Sequence, residues 1–191
     1  MSDIVLSHIS KVFDGTWVLD DFSAIFPDGE ISVIMAPSGK GKTTLLRILE
    51  GFEQPDKGTI SGLSGRILSA VFQDNCLVQS LSAWKNIQIV NPAMTKQEIF
   101  EEMEKLSLGR CREEKAETLS GGEKRRVSLL RALLYPADTY LLDEPFNALD
   151  DQRKAEAISY TRKHLSGKTA LLVTHSQEEA DWMNPARTIR F

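Results

Sequence analysis

The sequence predicts a single α/β domain in which a helical insertion interrupts the alternation of strands and helices. Apolar, strand-like runs alternate with helical periodicity near both ends of the chain. A loop of small residues joins the apolar run Ile31–Met35 to a helix start near Lys42. The stretch from about residue 74 to 135 has a helical pattern. We therefore expect a core of residues 1–73 and 136–191 and a helical subdomain of about residues 74–135.

Length and composition indicate a soluble globular protein. Of the 191 residues, 41% are hydrophobic and 26% charged. The formal net charge of −4 indicates no broad basic surface, so we predict no nucleic-acid partner. The sequence contains neither an apolar run of about 18 residues nor a secretory signal at its start, so no membrane-spanning segment is predicted. Cys76 and Cys111 form no CxxC pair and are expected to be reduced thiols.

The elements before the insertion follow from period-2 and helical patterns. In the second strand, Phe22, Ala24 and Phe26 alternate with residues expected to be exposed, which predicts an antiparallel N-terminal part with one buried face. A helix begins near Lys42 and ends at Gly51. The predicted strands of this part are Ile4–Ile9, Val18–Phe26, Glu30–Ala36, a short strand near Thr59, and Ile67–Phe72.

Two helix starts in the insertion carry capping boxes. Thr95 is followed by Glu98, and Ser120 by Glu123, each pair standing just before an apolar helical pattern. After the insertion, strands and helices alternate again. The predicted elements there are the strand Tyr140–Asp143, the helix Asp151–Leu165, the strand Thr169–Thr174 and the helix Gln177–Met183.

The loop after Met35 has the composition of a phosphate cradle. Gly39 and Gly41 let the backbone curl, so that consecutive N–H groups and the following helix dipole point at an anion. Lys42 is predicted to neutralise the β- and γ-phosphates of a nucleotide and the Thr43 hydroxyl to bind Mg²⁺. The alternative is a chance Gly/Lys turn. The predicted nucleotide-binding residues of this P-loop are Ala36, Pro37, Ser38, Gly39, Lys40, Gly41, Lys42, Thr43 and Thr44.

Two positions depart from the usual GxxxxGK[ST] pattern. Ala36 stands where the first glycine is expected, which requires a negative φ at that residue. Lys40 brings a second cation near the expected phosphates. The P-loop predicts a nucleotide but does not by itself decide the class of P-loop protein.

The apolar strand after the insertion ends in two acids, Asp143 and Glu144. Carboxylates at the end of a buried strand are costly unless a cation or water meets them. We predict that Asp143 associates with Mg²⁺ and that Glu144 polarises the attacking water. The alternative is a solvated strand-to-loop turn, which the upstream P-loop disfavours.

Residues Leu119 to Glu123 read LSGGE, which resembles the LSGGQ signature of the ATP-binding cassette (ABC) ATPases. A helix start at Ser120 with a bare Gly121–Gly122 is itself an anion site. The resemblance implies a P-loop NTPase core with a mixed sheet and flanking helices, with ATP and Mg²⁺ as cofactors. It also implies a head-to-tail homodimer in which Ser120, Gly121, Gly122 and Glu123 contact the nucleotide of the partner subunit.

Other family motifs stand in the same order along the chain. Gln73 lies in a segment that resembles the Q-loop, which implies contacts to Mg²⁺ and water. Asp150 lies in a D-loop-like segment at the dimer interface, and His175 resembles the switch histidine that contacts the γ-phosphate and supports Glu144. The family places an adenine-stacking aromatic at Phe13, with Trp17 as an alternative; Phe13 as a simple core residue also stays open.

The segment from Leu81 to Ile87 is similar to importers of the nitrate, sulfonate and taurine group. This resemblance implies an ATPase subunit, cytoplasmic and peripheral on the inner face of the cell membrane, that works with separate membrane permeases and a solute-binding protein. Because the sequence ends soon after His175, we expect a compact subunit without a C-terminal regulatory domain. Two alternatives are a non-transport ABC ATPase and a nucleotide-dependent dimerisation switch.

Overall fold

The computed structural model describes residues 1–35, 37 and 39–190. Within these residues the strands are β1 (Ile4–Phe13), β2 (Thr16–Phe26), β3 (Ile31–Met35), β4 (Lys57–Ser61), β5 (Leu68–Val71), β6 (Thr139–Asp143), β7 (Thr169–Thr174) and β8 (Arg187–Arg190). The α-helices are α1 (Lys42–Leu49), α2 (Ala83–Gln88), α3 (Lys96–Lys105), α4 (Gly121–Leu134), α5 (Asp151–His164) and α6 (Gln177–Met183).

The strands form two sheets of different type. The larger sheet is parallel, with the order β5-β6-β7-β3-β8. The smaller sheet is antiparallel, with the order β2-β1-β4. Because all strands of the larger sheet run the same way, the loops after their carboxyl ends meet at one edge.

Neighbouring residues on the parallel strands face opposite apolar layers. Ile34 and Leu171 pack with α1 and the antiparallel sheet, whereas Val33 and Leu172 pack with α2 to α6. Both faces of the parallel sheet are therefore covered, which explains why its strands read as continuous apolar runs. Helix α1 lies between the two sheets, since Leu45 belongs to the same apolar cluster as β1.

The predicted α/β class and the antiparallel N-terminal part are confirmed. In β2 the predicted alternation holds, because Phe26 is buried and Ile25 is exposed. The sequence patterns missed β8, because Arg187 to Arg190 contain a single apolar residue, Ile189, and show no alternation that would distinguish a strand from a loop. Between β5 and β6 the chain forms α2, α3, α4 and a 3₁₀ turn at Ala116–Thr118, connected by non-helical segments.

Among the described residues we find no helix with the length and apolar character needed to cross a membrane.

Candidate functional site

The loop after β3 curls sharply before α1 begins. Gly39 and Gly41 have φ of 80° and 79°, in the left-handed region that favours glycine. Helix α1 has Gly41 at its N-cap, and a glycine has no side chain with which to cap the first N–H groups of the helix. The buried Lys42 ammonium donates to the Pro37 carbonyl at 3.0 Å. The predicted contributions of Ala36 and Ser38 lie outside the described residues.

A cleft of about 280 Å³ opens at this helix start. It gathers residues from β2, the P-loop, the loop after β5 and the end of β6, which the sequence patterns place far apart. The structure therefore brings the predicted P-loop, metal and water-polarising residues into one cleft. The lining residues are Val18, Gly39, Gly41, Lys42, Thr43, Thr44, Gln73, Asp143 and Glu144.

Asp143 is a buried carboxylate that lines the cleft. It accepts a hydrogen bond from the Thr43 hydroxyl at 2.8 Å. Burial raises the pKa of Asp143 and the neighbouring Glu144 charge raises it further, while the Thr43 hydrogen bond opposes the rise. A bound cation would relieve this cost.

The oxygen donors in the cleft fit Mg²⁺. Thr43, Gln73 and Asp143 offer hydroxyl, amide and carboxylate oxygens, the hard ligands that Mg²⁺ prefers. The described part of the chain contains no group of three or more His, Cys, Asp or Glu residues that could hold a metal by itself. Mg²⁺ usually binds one or two carboxylates together with substrate phosphates, and Asp143 would supply such a carboxylate here.

Glu144 has an unusual backbone for a non-glycine residue, with φ of 45°. Its amide donates to the Val173 carbonyl at 2.9 Å, which ties the residue to the end of β7. The His175 Nδ1 atom lies 3.3 Å from the Glu144 carboxylate, and Asn147 reaches the other carboxylate oxygen at 3.4 Å. The structure thus brings together Glu144 and His175, the pair expected from the sequence.

The start of α4 is closed by its own side chains. The Ser120 hydroxyl and amide both donate to Glu123 Oε2, at 2.6 and 2.8 Å, and Ser120 Oγ accepts from the Glu123 amide. The predicted capping box is therefore present. Residues 120–123 do not line the described cleft of their own chain. Asp150 caps α5 by accepting from the Arg153 amide at 2.9 Å.

Two exposed aromatic residues lie on the β1–β2 hairpin. Phe13 and Trp17 are 40% and 47% exposed, with the ammonium groups of Lys11 and Lys57 near their respective rings. Trp17 directly precedes Val18, which lines the cleft. Exposure of Phe13 disfavours the simple core interpretation and leaves both aromatics available for stacking.

Two arginines near the start of α4 were missed by the sequence patterns. A charged run such as Lys124 to Arg126 is typical of a solvated helix face, but Arg125 and Arg126 are buried. They are buried because α4 packs against neighbouring elements on several sides. The uncharged run from Val127 to Leu130 was the signal that the sequence contained.

Glu50 is a third residue that the patterns missed. It lies in a neighbouring groove of about 470 Å³, together with Phe52, Phe72 and Asp143. Burial, followed by the charge of Asp143, raises the pKa of Glu50 to about 7. No local motif marks this residue, because only the folded chain brings it near Asp143.

The fold and the cleft together define a nucleotide-binding P-loop protein, and comparison with known proteins identifies the family. The family model described as ABC transporter matches residues 19–147. The chain belongs to the ABC transporter family of ATP-binding domains.

Several curated proteins are similar to most of this chain. The sulfate/thiosulfate import ATP-binding protein CysA of Yersinia pseudotuberculosis is 37% identical over 93% of this chain and 54% of its own length. The spermidine/putrescine import ATP-binding protein PotA of Marinobacter nauticus is 38% identical over 92% of this chain and 52% of its own length. The chain spans about half the length of the curated relatives it matches. These two do not belong to the nitrate, sulfonate and taurine group, so that finer assignment stays a prediction.

A solved structure supports the same family. The ATP-binding cassette MJ0796, a dimer in a post-hydrolysis state bound to ADP and Pi, superimposes with a TM-score of 0.86. The match covers 98% of this chain and 94% of that one, at 26% identity.

Proposed function

We propose that this chain binds and hydrolyses ATP as the ATP-binding subunit of an ABC transporter that imports a solute. The observation that carries the proposal is the cleft in which the uncapped start of α1, Lys42, Asp143 and Glu144 converge. These groups supply what phosphoryl transfer to water needs: donors for the phosphates, a metal carboxylate and a water-orienting carboxylate.

In the proposed reaction, water attacks the γ-phosphorus in line with the leaving β-phosphate oxygen. Glu144 orients the water, and His175 holds the Glu144 carboxylate and contacts the γ-phosphate. Lys42 and the N–H groups of α1 stabilise charge on the phosphate oxygens. Thr43, Gln73 and Asp143 would hold Mg²⁺, which when bound supplies Lewis-acid stabilisation of the phosphate charge.

A homodimer would complete the site. Residues 120–123 lie outside the cleft of their own chain, yet they form a helix start that suits an anion. In a head-to-tail pair, Ser120 and Gly121–Gly122 of one subunit would cover the nucleotide held by the other, with Asp150 near the interface. The dimeric state of the ATP-binding cassette MJ0796, 26% identical to this chain, supports this arrangement.

The proposed partners are integral membrane permease subunits and a solute-binding protein, since the curated relatives are named as import ATP-binding proteins. The chain would then work in the cytoplasm, peripheral on the inner face of the cell membrane. We assign residues 1–73 and 136–191 to the catalytic core and about 74–135 to the helical subdomain that receives the permease. Co-purification with an integral membrane protein tests this against a non-transport ABC ATPase.

The hydrolytic function is tested by Glu144→Gln, measured as phosphate release at saturating MgATP. The substitution keeps the size of the side chain and removes its charge, so we expect kcat to fall about a hundredfold or more. Binding of a fluorescent ATP analogue should stay within about threefold, because the phosphate donors are unchanged.

Phosphate release equal in the natural chain and the Glu144→Gln variant would contradict hydrolysis at this site. With nucleotide binding intact, that result would favour a dimerisation switch instead.

A further inference from the structure

Arg125 is a buried cation on α4, only 4% exposed. With the described residues, its guanidinium hydrogen-bonds to main-chain carbonyls and one side-chain amide oxygen. A planar guanidinium has five N–H donors in a fixed fork, so it can connect several carbonyls whose positions must match that geometry.

One side of the fork reaches the loop that follows β6. Nη2 donates to the carbonyls of Asp143 and Glu144, the latter at 2.6 Å, and Nε donates to the Pro145 carbonyl at 3.2 Å. These three consecutive carbonyls belong to the segment that carries the metal carboxylate and the water-orienting carboxylate. Arg125 therefore fixes the backbone from which both side chains project.

The other side of the fork reaches the loop that follows β5. Nη1 donates to the Phe72 carbonyl at 2.5 Å and makes longer bonds of 3.4 Å to the Gln73 carbonyl and the Asn75 side chain. The same guanidinium thus joins the backbone of Gln73 to the backbone of Asp143 and Glu144. It also connects both loops to α4, whose start carries the signature residues.

The backbone of Glu144 needs such support. A φ of 45° is sparsely populated for a residue with a Cβ and persists only where the surrounding structure holds it. The Glu144 amide is held by Val173, while its carbonyl accepts from Arg125 at 2.6 Å and from the Asn147 amide at 3.1 Å. Without the guanidinium, the carbonyl keeps only the bond from Asn147, three residues further along the same loop.

We infer that Arg125 is a positioning residue for ATP hydrolysis, which sets the Glu144 carboxylate and the Gln73 loop at one fixed separation. The inference deepens the proposed hydrolytic function and rests on it. Arg125 touches neither nucleotide nor water in this assignment and acts through the carbonyls that it holds. A positional error of about 1 Å at a catalytic group can cost on the order of a hundredfold in rate.

The test compares Arg125→Gln with Arg131→Gln. Arg131 lies on the same helix and also donates to loop carbonyls, those of Cys76 and Asn75, but it has no bond to residues 143–145. We expect Arg125→Gln to lower kcat about tenfold to a hundredfold while the KM for MgATP changes by less than about threefold. Arg131→Gln should leave kcat within about twofold. The concentration used to calculate kcat is that of the protein that binds nucleotide. A fraction of unfolded protein therefore cannot be mistaken for a lower kcat.

A second measurement does not depend on hydrolysis. Amide hydrogen exchange of the nucleotide-free chain should become faster at residues 72–75 and 143–147 in Arg125→Gln, and at 143–147 it should be unchanged in Arg131→Gln. If the natural chain hydrolyses no ATP, the proposed function fails, and this exchange comparison still decides what Arg125 holds.

Equal kcat in the two variants, or equal exchange at residues 143–147, overturns the inference. If Arg125→Gln does not fold, Arg125→Lys decides by the same two measurements. An ammonium keeps the charge but cannot span both loops as a fork, so we expect a smaller loss of kcat and faster exchange in one of the two loops. Full activity with unchanged exchange in Arg125→Lys also overturns it.

Discussion

The N-termini of helices α1 and α4 both have features of an anion-binding site, yet they are built in opposite ways. Helix α1 begins after Gly41, with no side chain on its first N–H groups and with Lys42 beside them. Helix α4 begins at Ser120 and closes on itself, because Glu123 already places a carboxylate at its N-terminus. The first is shaped mainly by the left-handed backbone of its glycines, and the second by side-chain hydrogen bonds.

The difference indicates how each start meets a phosphate. At α1 a ligand adds to donors that no side chain caps, so the free chain is prepared for nucleotide. At α4 the Glu123 carboxylate already occupies the helix N-terminus, so a phosphate must compete with this carboxylate or share its hydrogen-bond donors. The difference between the two helix starts favours a proposed order of events. Nucleotide would bind first at α1 of one subunit and would contact α4 of the partner subunit only when the dimer forms.

The largest predicted effect on stability and nucleotide binding comes from comparing an alanine at Gly41, before α1, with an alanine at Gly121, at the start of α4. A Cβ at position 41 would lie 2.5 Å from the Val18 carbonyl oxygen at φ of 79°, whereas at Gly121 it would meet nothing within 4 Å. We expect Gly41→Ala to lower the free energy of unfolding by about 2 kcal/mol and to weaken ATP-analogue binding more than about tenfold.

Gly121→Ala is the matched variant. Helix propensity predicts unchanged stability or a gain of up to about 1 kcal/mol in the free chain. Urea unfolding and analogue titration of both variants check this. Equal loss in the two would mean that backbone conformation does not distinguish the two starts.

A smaller effect is expected from opening the cap of α4. Ser120→Ala removes the hydroxyl that accepts from the Glu123 amide, which should cost about 1 kcal/mol in urea unfolding. Ser82→Ala is the control, because Ser82 stands at the N-cap of α2 without a capping hydrogen bond. A loss at Ser82 as large as that at Ser120 would argue against the capping role.

The smallest effect concerns the charge of Glu123. Hydrogen bonds from the Ser120 side chain and amide hold the pKa of Glu123 below its usual 4.5. Because the folded pKa is the lower one, the ionised cap stabilises the fold above about pH 4.5, and this stabilisation is lost as the pH falls through the folded value. Glu123→Gln should weaken the acid dependence of urea unfolding.

The same substitution tests competition with phosphate. In a Glu144→Gln background, removing the carboxylate should strengthen ATP-driven dimerisation roughly two- to fivefold, as sedimentation would show. Weaker dimerisation would instead mean that the carboxylate helps to bind the partner's nucleotide.

Local sequence patterns were sufficient to predict features that depend on contacts between residues close together in the sequence. The capping boxes at Thr95 and Ser120 are in place, and the glycines at 39 and 41 take the left-handed conformation that the P-loop pattern required. The roles of Asp143 and Glu144 were inferred from acids at the end of an apolar strand, and both line the cleft. These features depend on backbone geometry over a few residues, which sequence encodes directly.

Other features followed no local rule. Arg125 and Arg126 read as solvated charges, and Glu50 had no motif at all. The bonds of Arg125 join α4 to loops about 20 and 50 residues away in the sequence, and such contacts depend on how separate elements pack.

By itself, the sequence determined the class of fold, the phosphate cradle and the two helix starts, because periodicity, glycine freedom and capping act over a few residues. Only the tertiary structure decided the contacts among the site residues, such as the Thr43 hydrogen bond to Asp143 at 2.8 Å and the 3.3 Å between His175 Nδ1 and the Glu144 carboxylate. It also decided that a buried guanidinium supports them. The physical reason is that burial and hydrogen-bond partners belong to the packed molecule, in which residues distant in sequence share one low-dielectric space.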